Sequence, residues 1–114
     1  MCMEFDIMFL NEVTAHVTVK DGDVKVESFS SNPFEQPLQM KSPNIYDVYD
    51  FFCDRWYEKD RKDYNKLIEF IGVPEDNIYE IVKKNHGVCY EDFLWLRFKG
   101  EDYLKWEDVK HDRD

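Results

Sequence analysis

The chain has 114 residues, of which 43% are hydrophobic and 17% aromatic, so one domain can build its core without disulfides or a structural metal. Its formal net charge is −10, from 25 acidic and 15 basic side chains. This charge disfavours direct nucleic-acid binding, which needs a basic stripe, and favours a basic protein surface as partner. Solubility alone is the other interpretation of the charge. We predict a single domain over residues 1–114, with a frayed tail at 110–114.

The cysteines indicate a reducing compartment. Cys2, Cys53 and Cys89 are odd in number and have no C-x-x-C spacing. Acidic residues stand near the start, where a signal peptide would be basic, and the apolar runs are too short to span a membrane. We therefore predict a cytoplasmic protein that does not bind membranes.

The first third of the chain has the alternation of strands. Apolar residues recur at every second position over 5–9 and again over 13–19, with a turn at Asn11-Glu12 between them. Asp21-Gly22 is typical of a two-residue hairpin turn, after which Val24 begins a third strand. An antiparallel three-strand meander follows from this pattern.

The middle of the chain has the periodicity of helices. Ser42 or Asn44 can cap a first helix that has Pro43 at its first position. Its apolar face comprises Ile45, Val48, Tyr49, Phe52 and Trp56. A second helix is predicted over 64–71, ending at Gly72, and a third from Pro74 to Gly87.

The last quarter returns to strand. Residues 93–98 read as a strand, Tyr103-Leu104 as a strand returning beside it, and residues 106–109 as a final helical turn. The predicted fold class is α+β. It has an antiparallel sheet, formed by the N-terminal meander and the C-terminal strands, with about three helices packed on one face.

No catalytic constellation is evident, and we expect neither enzyme activity nor a cofactor. His86 and Cys89 are the one close histidine–cysteine pair, and a buried structural cysteine is the more common role. Histidines at ligand spacing and a glycine-rich phosphate loop are both missing from the sequence. Paired carboxylates such as Glu101-Asp102 fall at helix starts and turns, where solvated side chains are the simpler interpretation.

Aromatic residues beside charges indicate a protein-binding surface instead. Trp56-Tyr57 closes the first helix next to a charged turn, the setting in which interface hot spots are found. Trp56 can alternatively complete the apolar face of the helix. The predicted partner-binding residues are Asp50, Asp54, Trp56, Tyr57, Glu58, Asp60 and Arg61.

The order of these features over residues 5–90 resembles the N-terminal subdomain of HipA-type serine/threonine kinases. The matching positions are Pro37-Leu38, Val48, Phe51-Phe52, Glu58, Arg61, Leu67, Gly72, Asn77-Ile78-Tyr79 and Gly87. The resemblance implies a stand-alone, HipS-like regulatory subunit of a kinase in a toxin–antitoxin operon. The chain departs from the family at Trp56-Tyr57, where leucine and proline are usual, and at Val88-Cys89, where Gly-Ala is usual.

The end of the chain also resembles small mobile-element proteins of Gram-positive bacteria. It shares with them the strand sequence of residues 92–98 and the Trp-Glu-Asp-Val of residues 106–109. This second resemblance, with the negative charge, leads to an alternative hypothesis. The protein would then be an anti-CRISPR-like inhibitor that occupies a basic nucleic-acid channel of a defence enzyme.

Overall fold

The computed structural model describes residues 2–56, 77–88 and 92–109, together with Glu69. Its sheet contains strands β1 (Cys2–Phe9), β2 (Glu12–Lys20), β3 (Asp23–Ser28) and β4 (Leu94–Phe98). They are antiparallel and lie in the order β3-β2-β1-β4. The predicted meander and the α+β class are confirmed.

The turns of the meander follow from local backbone chemistry. Asp21 and Gly22 have φ angles of 50° and 86°, as the predicted hairpin turn requires. The first turn lies at Leu10–Asn11, one residue earlier than predicted, and Leu10 has a φ of 55°. A β-bulge in β2 places Thr14 as the extra residue beside Ile7 and Met8.

Two helices pack beside the sheet, and each is capped by an asparagine. Helix α1 spans Ile45–Asp54, and the Asn44 side chain accepts hydrogen bonds from the amides of its first turn. Pro43 therefore precedes the cap, and Trp56 lies beyond the helix. Helix α2 spans Ile78–Asn85.

Helix α2 begins later than the sequence predicted. The Asn77 side chain accepts a hydrogen bond from the Glu80 amide, and its φ of −108° and ψ of 80° are not helical. The start predicted at Pro74 is thus wrong, because Asn77 is the capping residue. The predicted helix over 64–71 lies outside the described residues except for Glu69.

The main core lies between one face of the sheet and helices α1 and α2. Phe5, on the central strand β1, contacts Phe52 of α1 and Phe98 of β4, with ring centroids 5.3 and 5.6 Å apart. The buried residues of this core are Phe5, Ile7, Ala15, Val17, Val19, Leu38, Val48, Phe51, Phe52, Val82, Leu94, Leu96 and Phe98.

A smaller core lies on the opposite face of the sheet. Trp95 and Met8 alternate with the main-core residues along their strands and pack against Trp106, the first residue of α3 (Trp106–Val109). The predicted strand at Tyr103-Leu104 is wrong. That segment is a turn in which the Leu104 amide donates to the Glu101 carbonyl at 2.9 Å, and Leu104 packs against this smaller core.

Arg55 joins the end of α1 to the C-terminal half of the chain. Its side chain is 6% exposed and donates two hydrogen bonds to the Asp92 carboxylate, at 2.7 and 2.8 Å. The same guanidinium donates to the carbonyl oxygens of Gly87 at 2.7 Å and Leu94 at 2.8 Å. The buried Arg55 guanidinium thus joins the end of α1 to the backbone at Gly87 and to the segment of residues 92–94.

None of the described helices is long and apolar enough to cross a membrane. The predicted tail at 110–114 lies outside the described residues.

We predict that Arg55→Met lowers the free energy of unfolding by about 2–4 kcal/mol, because it removes the hydrogen bonds that the guanidinium donates to Asp92 and to two buried carbonyls. Urea denaturation measures this loss. Lys84→Met is the matched control, since Lys84 is an exposed cation on α2 and its removal should change stability by about 0.5 kcal/mol or less. Equal losses in the two variants would contradict the role given to Arg55.

Candidate protein-binding site

The predicted partner-binding residues fall in two groups. Asp50 and Asp54 are exposed on α1, and Trp56 is half-buried just after the helix. Tyr57, Glu58, Asp60 and Arg61 lie outside the described residues, so their role stays a prediction. The site is therefore built around the C-terminal end of α1.

One face of α1 carries a stripe of carboxylates. Asp47, Asp50 and Asp54 recur at spacings of three and four residues, which places them on the same side of the helix. The helix has no lysine, arginine or histidine between Ile45 and Asp54. This face is consequently negative, although Asp47 also accepts a hydrogen bond from the Asn44 amide as part of the cap.

A groove of about 370 Å³ opens next to this stripe. The end of α1 forms one side, the segment of residues 33–37 another, and residues 92–94 a third. Its volume is near the lower end of the range for binding pockets, which suits one or two side chains of a partner. The lining residues are Phe9, Pro33, Phe34, Pro37, Phe51, Asp54, Arg55, Asp92, Phe93 and Leu94.

Phe34 stands at the rim of the groove with 82% of its surface exposed. Its position is set by the preceding Asn32, whose side chain accepts a hydrogen bond from the Phe34 amide at 2.9 Å. The Asn32 carbonyl also accepts from the amides of Glu35 and Gln36, at 3.0 and 2.9 Å. The exposed ring therefore sits on a turn with a defined backbone.

Two buried polar side chains hold this turn against the sheet. The Thr14 hydroxyl lies 3.0 Å from the Ile7 carbonyl and 2.7 Å from the Glu35 carbonyl. The fully buried Gln36 amide donates to the Ser28 hydroxyl and the Leu38 carbonyl, and its oxygen accepts from the Leu38 amide. Because buried polar groups are costly to leave unpaired, these bonds fix the turn strongly.

The opposite wall of the groove is also well supported. Phe93 is 44% exposed, and its ring packs edge-on against Phe9 and Trp106, with centroids 6.1 and 5.9 Å apart. The Arg55–Asp92 pair contributes to the lining from below. Both walls therefore exist before any partner arrives.

Tyrosines occupy another exposed side of α1. Tyr46 is exposed, and Tyr49 packs against Tyr79 of α2 with ring centroids 6.1 Å apart. A side-chain hydrogen bond with Cys53 raises the pKa of Tyr49, and burial raises the pKa of Tyr79. Both hydroxyls are accordingly neutral at physiological pH.

The residues considered for catalysis have structural partners where the structure describes them. His86 Nε2 lies 3.1 Å from Glu101 Oε2, while Cys89 lies outside the described residues. Glu101 Oε1 accepts from the Phe98 amide, and Asp108 accepts from the Lys105 amide. Among the described residues, no group of three or more histidines, cysteines or carboxylates could hold a metal ion.

Comparison of the chain with protein-family models, with curated proteins and with solved structures finds no match.

Of the predicted partner-binding residues, Asp54 lines the groove and Asp50 lies one helical turn before it, whereas two aromatic residues of the groove were not among those predicted. Phe34 and Phe93 have no binding role in the sequence analysis, which assigns residues 93–98 only to a strand. A signal was present in the short run of residues 32–37, where a phenylalanine stands between two prolines and after an asparagine that favours a turn. A turn of this kind lies at the protein surface, so the phenylalanine on it is expected to be exposed.

We predict that Gln36→Leu destabilises the domain by about 1–3 kcal/mol, although leucine is apolar and similar in size, because the Leu38 backbone loses both of its partners. Gln39→Leu is the control. Its amide donates to the Ser30 and Gln36 carbonyls, but Gln39 is exposed, so water can replace these bonds and the loss should be less than about 1 kcal/mol. Thermal or urea unfolding compares the two. A larger loss for Gln39→Leu would contradict the anchoring role of Gln36.

Proposed function

We propose that this chain is a non-catalytic regulatory module that binds another protein through the groove between Phe34 and Phe93. The observation that supports this most directly is the 82% exposed Phe34 ring on a turn that buried hydrogen bonds hold in place. Exposing a phenylalanine has no benefit for folding, whereas a rigid aromatic side chain is well suited to anchor an interface.

The charge of the groove indicates which kind of partner segment would bind there. Asp54 lines the groove, and Asp50 lies one helical turn away. Among the described lining residues, Arg55 is the only cation, and it already pairs with Asp92. A partner segment that places an apolar side chain in the groove and a lysine or arginine beside it would match both features. Trp56 and Tyr57 extend this surface in the proposal.

A HipA-like kinase is the partner that the residue pattern supports, with this chain as its stand-alone, antitoxin-like subunit. Several pattern residues, namely Leu38, Val48, Phe51 and Phe52, belong to the main core. The pattern therefore supports a common subdomain fold more strongly than a common binding surface. The exposed free cysteines Cys2 and Cys53 support the proposed cytoplasmic location.

We predict that Phe34→Ala raises the dissociation constant for the partner about 30-fold, the effect of a hot-spot aromatic residue, and leaves stability unchanged. The measurement is calorimetric titration with the kinase recovered from the native host by pull-down and encoded beside this gene. Tyr103→Ala is the matched control, because Tyr103 is 74% exposed but does not line the groove. Unchanged affinity of Phe34→Ala would contradict the proposed site, and the lack of any such kinase would remove this partner.

The acidic stripe supports a second candidate, an inhibitor that occupies a basic nucleic-acid channel of a defence enzyme. The observation in its favour is that α1 presents Asp47, Asp50 and Asp54 with no basic residue among them. Titration with whichever protein the pull-down recovers, repeated with excess DNA or RNA, distinguishes the candidates. Competition by nucleic acid, together with weakening at high salt, supports the inhibitor, and its absence excludes nucleic-acid mimicry.

A further inference from the structure

Strand β3 is an edge of the sheet that the described residues form. Among these residues it pairs with β2 on one side only, in the strand order β3-β2-β1-β4. Within the described part of the chain, no hydrogen bond is made from its outer side. Its six residues, Asp23–Ser28, contain no proline, and their pairing with β2 has no bulge. Of the features that commonly stop an edge strand from pairing further, β3 has charged side chains, including Lys25, but neither a proline nor a bulge.

The backbone groups on the outer side can be identified from the turn. The two-residue turn at Asp21-Gly22 makes Lys20 and Asp23 a mutually hydrogen-bonded pair. The Phe29 amide donates to the Thr14 carbonyl at 2.8 Å, two ladder steps beyond the Glu27 pair, which continues the same alternation. Residues 23, 25 and 27 therefore bond to β2, and residues 24, 26 and 28 direct their amides and carbonyls outward.

The side chains of β3 divide by face. Val24 and Val26 are half-buried and pack against the main core. Asp23, Lys25 and Glu27 are exposed and, by the alternation of a strand, lie on the opposite face. A strand added to this edge would extend the apolar face past Val26 and meet alternating charges on the other face.

We propose that β3 pairs antiparallel with β3 of a second copy of this chain, with the two Val26 residues opposite each other. In this register, residues 24, 26 and 28, whose amides and carbonyls point outward, lie opposite the same set of residues in the second copy, as hydrogen bonding between antiparallel strands requires. It also places Lys25 opposite Glu27 of the second copy, and does so twice because the arrangement is two-fold symmetric. The strand is thus complementary in charge to itself.

The neighbouring registers are less favourable. Placing Val24 opposite Val26 of the second copy brings the two Lys25 residues together and sets Asp23 opposite Glu27, so every charged pair is repulsive. Placing the two Val24 residues opposite each other extends the pairing into the turn at Gly22 and leaves Ser28 unpaired. The charges of β3 therefore disfavour the offset register. The register with Val24 opposite Val24 also pairs Lys25 with an acidic residue, Asp23, so the turn at Gly22 is what disfavours it.

Sedimentation equilibrium from micromolar to millimolar concentrations tests this proposal. We expect the average mass of the wild-type chain to rise towards that of two chains. Lys25→Glu should raise the dimer dissociation constant about tenfold or more, because two attractive pairs become repulsive, and the double variant Lys25→Glu/Glu27→Lys should restore it. Lys99→Glu is the control for the change in net charge, since Lys99 is exposed and outside β3.

Circular dichroism confirms that each variant is folded before its mass is measured. A wild-type chain that stays monomeric over the whole range would overturn the proposal. A dimer that responds equally to Lys25→Glu and Lys99→Glu, or that the double variant does not restore, would also overturn it, because association would then use another surface.

Discussion

The guanidinium group of Arg55 is buried where helix α1, the turn at Gly87 and strand β4 meet. Its four hydrogen bonds to Asp92, Gly87 and Leu94 fix the end of α1 against the C-terminal half of the chain. The contact is close, because a Cβ atom at Gly87 would lie 3.2 Å from Leu96 Cγ, and the φ of Gly87 is 63°. A buried ion pair adds little net stability over an apolar contact, but removing one partner is costly, so this pair acts chiefly by selecting one arrangement.

That arrangement creates the candidate site. The end of α1 brings Asp54 to the groove, and the segment after Asp92 brings Phe93. The third side comes from Phe34, whose turn is held independently by Thr14 and Gln36. The walls of the groove are consequently anchored in parts of the chain that are distant in sequence. A partner that binds there would find the surface already formed and would lose less conformational entropy at the interface.

Local chemistry was sufficient to predict the meander from the sequence and to limit the cap of α1 to Ser42 or Asn44, of which Asn44 is the observed cap. Period-two alternation and the Asp21-Gly22 turn depend on neighbouring residues, as does capping by an asparagine before an apolar run. The sequence places the start of α2 at Pro74 because proline is a signal of a helix start. Asparagine is another such signal, and Asn77, three residues later, is the residue that caps the helix.

Contacts over long sequence distances could not be predicted in the same way. Arg55 is 37 residues from Asp92, and in the sequence it stands just before Trp56, within the predicted first helix. Tyr103-Leu104 has strand-like residues, but the Glu101 carbonyl and carboxylate turn the chain back before a strand can pair. Asp50 and Asp54 were identified because exposed acidic residues on a helix follow from its period. Phe34 was missed because its exposure depends on how Gln36 is buried.

The central claim is that the turn bearing Phe34 is rigid in the free protein, and hydrogen exchange of the Leu38 amide tests this most directly. The amide donates to the buried Gln36 side chain. The account predicts that it exchanges as slowly as the amides of the paired central strand β1, since both would open only with the whole domain. Exchange at the rate of an exposed loop amide would contradict a preformed groove.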